Sequence, residues 1–177
     1  MYSSQWVMEL LIRDLQKIAR IKKTVIRKIA SEIKAGLGLQ KKVFSLVFTD
    51  NRQIQELNRE YFGRNEPTDV ISFCLDDQYD PVGISGEIII SVEQVYKNAD
   101  KYNTGAGEEL TRYVIHGILH ILGYDDLEKN KKMLMKEKEE CLLRKIKARF
   151  RICDKNFLIK KIWKLIKFMR KNIDIGF

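Results

Sequence analysis

The stretch His116-Gly117-Ile118-Leu119-His120-Ile121-Leu122-Gly123-Tyr124-Asp125-Asp126 holds both histidines of this 177-residue chain. Side chains four residues apart on a helix stack on one face, so the two imidazoles point the same way and are placed to grip one metal ion. Gly123 offers a place for the helix to stop and the chain to turn back. That turn makes Asp126 the best-spaced third ligand, which predicts a site with three protein ligands and an open position, the usual form of a catalytic metal centre. A bare histidine pair on an apolar helix is more often an ordinary core feature; here the glycine and the acidic pair Asp125–Asp126 add the context that favours a metal.

Upstream, Leu110, Tyr113, Val114, Ile118, Leu119, Ile121 and Leu122 space their apolar side chains as a helix largely buried in a small domain does. Gly117 stands where zinc proteases of the H-E-x-x-H type carry the glutamate that serves as general base, so peptide hydrolysis by that route is not expected.

Further out, Met8 to Leu37 reads as mainly helical after a short opening strand, with Ile18, Ile21, Val25, Ile29 and Ile33 at helical intervals and Gly36 and Gly38 ending it. Val43 to Thr49 alternates like a strand, Asn51 to Tyr61 reads as a helix capped near Asp50, and Gly63 to Pro67 is a loop. Asp69 to Leu75 and Glu87 to Val92 are strands, and Ser91 to Tyr102, Glu108 to Leu122 and Glu128 to Arg149 are helices, the last with a charged, solvated face. The pattern predicts an α+β fold, a small mixed β-sheet packed against helices with the metal-bearing helix central.

With a glycine after the first histidine, the opening stretch resembles the signature H-G-x-L-H-x-x-G-Y-D-H of the YbeY family, bacterial metal-dependent endoribonucleases of ribosomal RNA maturation. Leu57-Asn58-Arg59-Glu60-Tyr61 followed by Pro67-Thr68-Asp69-Val70-Ile71-Ser72-Phe73 is similar to the family's L-N-x-x-Y and P-T-D-V-x-S-F, and Gly86-Glu87-Ile88-Ile89-Ile90-Ser91 to its G-[DE]-I-x-I-S strand. The three blocks run in family order from about Val43 to Arg149. The resemblance implies a single-strand-specific, zinc-dependent endoribonuclease whose partners are RNA, chiefly ribosomal RNA, and the small ribosomal subunit.

Two departures stand out. The family's third ligand is a histidine where this chain has Asp126, and an aspartate can bind zinc through oxygen. The family's arginine after the tyrosine is Phe62 here, and Arg64, two residues on, has the fork geometry that suits phosphate. The expected site is therefore His116, His120 and Asp126 as ligands, with Arg64 offsetting phosphate charge. Thr68 and Ser72 would orient substrate or backbone, and Asp125 would support a ligand or the turn. A competing reading, motivated by Phe62 and Asp126, is a ribosome-assembly factor of the same fold that binds RNA and cleaves weakly.

The net charge of +9 favours a polyanionic partner. Residues 155–177 contribute +6 of it and form a basic amphipathic extension to a domain spanning 1–154. Phe157, Leu158, Ile162, Leu165, Ile166 and Met169 gather on one helical side there, a pattern that fits docking on the domain, contact with RNA or, less readily, a membrane surface. Cys74, Cys141 and Cys153 are odd in number and lack C-x-x-C spacing, so reduced thiols are expected. No apolar run is long enough to span a bilayer and the N-terminus lacks a signal-peptide pattern, so the cytoplasm is the expected compartment.

Overall fold

The computed structural model describes residues 10–75, 84–150, 152 and 159–160. In chain order β1 (Leu10–Asp14) and β2 (Arg20–Ile21) lead to α1 (Lys23–Leu37), β3 (Val43–Thr49), α2 (Asn51–Phe62) and β4 (Val70–Cys74). Next come β5 (Ile84–Ser91), α3 (Val92–Tyr102), α4 (Ala106–Ile121), α5 (Lys129–Phe150) and β6 (Ile159–Lys160). Four strands form one sheet in the order β1-β3-β5-β4, with β1, β3 and β5 parallel and β4 antiparallel to β5 at the edge. This is the α+β layer of a small mixed sheet and helices that the residue pattern predicts.

All seven residues of β3 are buried because both of its faces are covered. Phe44, Leu46 and Phe48 join Ile88 and Ile90 of β5 under α1, α4 and α5, while Val47, Ile89 and Ile71 pack against Ile54 of α2 on the opposite face. Eleven of the sixteen residues of α4 are buried, which makes the histidine-bearing helix the internal one. Gly117 permits that depth: a Cβ there would lie 2.6 Å from Ile88 Cγ2 and 2.9 Å from Ser72 Oγ.

The caps follow local chemistry. Asp50 accepts a hydrogen bond from the Gln53 amide to start α2, and Gly63, at φ 69°, ends it in the left-handed conformation. Gly38 ends α1 the same way, whereas Gly36 lies within the helix and faces Leu142 of α5.

Met8 to Leu37 opens on a short strand as expected, but the helix that follows begins only at Lys23. Leu10–Asp14, the opening strand, pairs along β3, and the Gln16 side chain then holds a turn, its Oε1 accepting from the Ile18 and Ala19 amides and its Nε2 donating to the Ala19 carbonyl. Ile18 and Ile21 are buried without being helical, so their spacing matched a helix for a tertiary reason. Of the basic extension, Ile159–Lys160 pair antiparallel with Arg20–Ile21; the amphipathic helix expected over Phe157 to Met169 otherwise lies outside the described residues. Among the described residues no helix is long and apolar enough to cross a membrane.

Candidate metal centre

The last turn of α4 and its exit build the site. Leu122 caps the helix and Gly123 takes φ 84°. The Gly123 amide donates to the His120 carbonyl at 2.9 Å and the Tyr124 amide to the Leu119 carbonyl at 3.0 Å, the paired bonds of a Schellman turn. This turn carries the chain back over its own last residues. Asp125 tightens the next bend by accepting from the Leu127 amide at 2.9 Å, and Asp126 is thereby brought beside the histidines.

His116 Nε2 and His120 Nε2 face each other at 3.0 Å. Each ring is anchored through its other nitrogen: His116 Nδ1 lies 3.1 Å from Glu139 Oε2 of α5, and His120 Nδ1 lies 3.1 Å from the Tyr124 carbonyl oxygen. An ionised carboxylate and a carbonyl can only accept, so both Nδ1 atoms carry hydrogen and, in the neutral rings, both Nε2 atoms present lone pairs. Burial, and then the neighbouring His116, hold the His120 pKa below its ordinary value against the opposing pull of Asp126 and the Tyr124 carbonyl. Two lone pairs at that separation repel unless a proton or a metal ion lies between them.

The donor atoms of His116, His120 and Asp126 all lie within 4.8 Å of one another, so the group can hold a metal ion. The arrangement fits: two nitrogens bound tetrahedrally to zinc at 2.0–2.1 Å would be about 3.3 Å apart, a few tenths from the spacing found. Hydrogen-bonded outer nitrogens are also the usual companions of metal-bound imidazoles, since they set the tautomer and aim the ring.

Glu139 is itself held in place. Arg112, one turn before His116, reaches Glu139 Oε1 at 2.7 Å and Glu140 Oε1 at 2.5 Å, with Glu109 at 3.9 Å. Burial works to raise the Glu139 pKa, but its bonds with His116 and Arg112 outweigh that and leave it below the ordinary value. Burial likewise opposes the Arg112 charge, and the bonds to Glu140 and Glu139 more than compensate. The result is a chain of alternating charge from Arg112 through Glu139 to His116.

Other expected residues fall elsewhere. Arg64 is exposed on the loop after α2, which is clamped by Asn58 Nδ2 donating to the Glu66 carbonyl at 2.8 Å and Gln55 Nε2 to the Asn65 carbonyl at 3.1 Å. It does not line the cleft onto which His116 and Asp126 open. Thr68 donates to Asp69 Oδ1 at 3.2 Å, and the Ser72 hydroxyl is buried between β4 and Gly117. Phe62 is half exposed, its ring stacked 6.3 Å from that of Phe73.

Glu139 and the Tyr124 carbonyl were not expected. The charged run Glu128 to Arg149 reads as a solvated face, yet Glu139 is only 8% exposed. One signal was present: Arg112, His116 and His120 share a face at four-residue intervals, and an arginine beside two imidazoles calls for an acid between them.

Residues 8–147 match the family profile described as Endoribonuclease YbeY. A Fusobacterium nucleatum protein named Endoribonuclease YbeY is 47% identical over 103 residues, 56% of this chain and 64% of that relative, so the match spans just under two thirds of its length. One of the same name from Carboxydothermus hydrogenoformans is 35% identical over 134 residues, 75% of this chain and 93% of that one. The solution structure of TM1509 from Thermotoga maritima aligns with a TM-score of 0.58 at 26% identity, covering 80% of this chain and 92% of that chain. Sequence match, sheet and histidine helix agree, and the chain belongs to the YbeY family.

Proposed function

We propose that this protein is a zinc-dependent endoribonuclease that cuts single-stranded RNA and acts in the cytoplasm on ribosomal RNA of the small subunit during its maturation. The observation that carries the reading is the pair of Nε2 atoms 3.0 Å apart, each ring fixed through Nδ1, with Asp126 delivered to the same point. The names of the relatives supply the reaction class.

His116, His120 and Asp126 would hold the zinc, which when bound supplies Lewis-acid stabilisation of a phosphoryl oxygen and acidifies water at neutral pH. The protein's own contribution is to hold the ligands. Glu139 and the Tyr124 carbonyl keep the Nδ1 protons in place, so the rings cannot rotate away. Gly117 faces the sheet, and Glu139 is committed to two partners, so neither position supplies a free carboxylate base. Arg64 is assigned to the RNA backbone at the surface, Thr68 and Ser72 to orienting substrate or backbone, and Asp125 to the turn that presents Asp126.

The test is elemental analysis of the purified chain together with cleavage of unstructured RNA, with and without chelator. His120→Ala should lose both bound metal and cleavage; cleavage that survives the substitution removes this mechanism. A second reading, an assembly factor of the same fold that binds RNA and cleaves it weakly, is favoured by Phe62 stacking on Phe73 where the family carries arginine. Metal-free protein that still binds RNA tightly and cleaves it little would favour that reading.

A further inference from the structure

His116 and Asp126 open onto a cleft between α3, α4 and α5, and its rim carries groups suited to a nucleic acid strand. Tyr102 ends α3, with 57% of its surface exposed, and lines the cleft with Tyr113, His116, Asp126, Lys132 and Lys136. Lys132 and Lys136 are four residues apart on α5, so they project from one helix face about 5–6 Å apart at Cβ.

Charge bookkeeping in the cleft singles these two lysines out. Arg112, the other cation there, is saturated by Glu139, Glu140 and Glu109. The cleft acids Glu109 and Glu139 are in turn engaged by it, Asp69 accepts from Thr68 and the Val70 amide, and Asp126 belongs to the metal group. The adjacent Lys131 is drawn to Glu128 at 3.0 Å and Asp125 at 3.7 Å. Among the described residues, Lys132 and Lys136 form no ion pair, although α5 also carries Glu137, Glu139 and Glu140. Two like charges held a helical turn apart repel mildly, and an anion bridging them relieves that.

Building on the reading that RNA is the substrate, we infer that this cleft seats the strand next to the reacting phosphate. Lys132 and Lys136 take backbone phosphates, and the exposed ring of Tyr102 stacks an unpaired base. The Lys101 ammonium, 4.8 Å from the Tyr102 ring centroid, packs on that ring as well. Stacking on an exposed aromatic ring flanked by cations is how sequence-tolerant single-strand binding is commonly built. These groups come from α3 and α5, elements that carry neither the zinc ligands nor Arg64.

The test measures binding of a short fluorescein-labelled oligouridylate to the full zinc-loaded chain as a function of salt. Loss of two phosphate contacts should make the slope of log K against log salt shallower by about 1.4 in the double variant Lys132→Gln/Lys136→Gln. Chelator competition should show its zinc affinity unchanged. Lys138→Gln/Lys145→Gln, which removes equal charge from α5 outside the cleft, should leave the slope as it was. Tyr102→Ala should weaken binding about tenfold with no change of slope, and Tyr102→Phe should restore it. If the cleft double variant keeps the wild-type slope and affinity, or the control variant loses as much, the seat is not here. If the wild-type chain binds no RNA at all, the endoribonuclease reading falls, and the seat with it.

Discussion

Glu139 shows how one side chain couples a helix to a candidate metal centre of which it is not itself a ligand. Its two oxygens are divided, Oε2 to His116 and Oε1 to Arg112, so Glu139→Gln can keep an acceptor for only one of them. Loss of such an outer partner typically costs 10–100-fold in metal affinity, and a fall of about that size is expected for Glu139→Gln in chelator competition. Unchanged affinity would mean that the His116 ring is aimed by packing alone. Asp126 poses a different question, because carboxylate oxygen favours harder cations than imidazole does. Asp126→His should therefore retain bound zinc and raise the preference for zinc over manganese, read by competition between the two ions; an unchanged preference would place Asp126 outside the coordination sphere. The ligand candidates were legible in the sequence because all three lie within eleven residues, where helix periodicity and one glycine determine who meets whom. Glu139 was not, since its contact depends on how α5 crosses α4, and no local spacing encodes that.

At the level of the element, α4 is shaped by what it must lie against. Gly117 brings its backbone down on β4 and β5, and this explains the missing general-base glutamate in steric terms: the position faces Ile88 and Ser72, not the metal cleft. Gly117→Ala gains about 1 kcal/mol of helix propensity but forces a methyl to within 2.6 Å of Ile88, and overpacking of that kind costs roughly 1–3 kcal/mol. The net expectation is a destabilisation of about 1 kcal/mol, measured as a lower urea midpoint at constant m; a stabilised variant would show that the sheet yields easily. The same tertiary logic sorts the elements that could be read in advance. Asn51–Phe62 and Val92–Tyr102 carry their own N-caps, Asp50 and Ser91, and so announce themselves locally. Residues 15–22 do not, because the turn held by Gln16 and the pairing of Arg20–Ile21 with β6 override an isoleucine spacing that imitates a helix. In α5 the abundance of charged residues hides the one glutamate, Glu139, that is turned inward.

For the molecule as a whole, a metal at His116, His120 and Asp126 would tie α4 to its exit turn and, through Glu139, to α5. A ligand that binds only the folded chain stabilises it by about 2.7 kcal/mol at a hundredfold excess over Kd, and each kcal/mol moves Tm by roughly 2–4 °C in a chain of this size. Chelation should thus lower Tm by about 5–10 °C. The metal-free protein should in addition have a pH profile with two stages. His120 has a folded pKa below its ordinary 6.5, so the unfolded chain binds the proton more readily; its contribution is complete above 6.5 and is lost as pH falls through the folded value. Glu139 is also lowered, from 4.5, so its contribution persists between 6.5 and 4.5 and is lost only as pH falls through its own folded value. The first loss of stability on acidifying the chelated protein from pH 7 accordingly belongs to the histidine, and His120→Asn should remove that stage while leaving the more acidic one. A chelated wild-type protein whose Tm is flat from pH 7 to 5, or a variant that keeps the early decline, would show that burial and the neighbouring His116 do not hold the His120 pKa below its ordinary value in the metal-free fold.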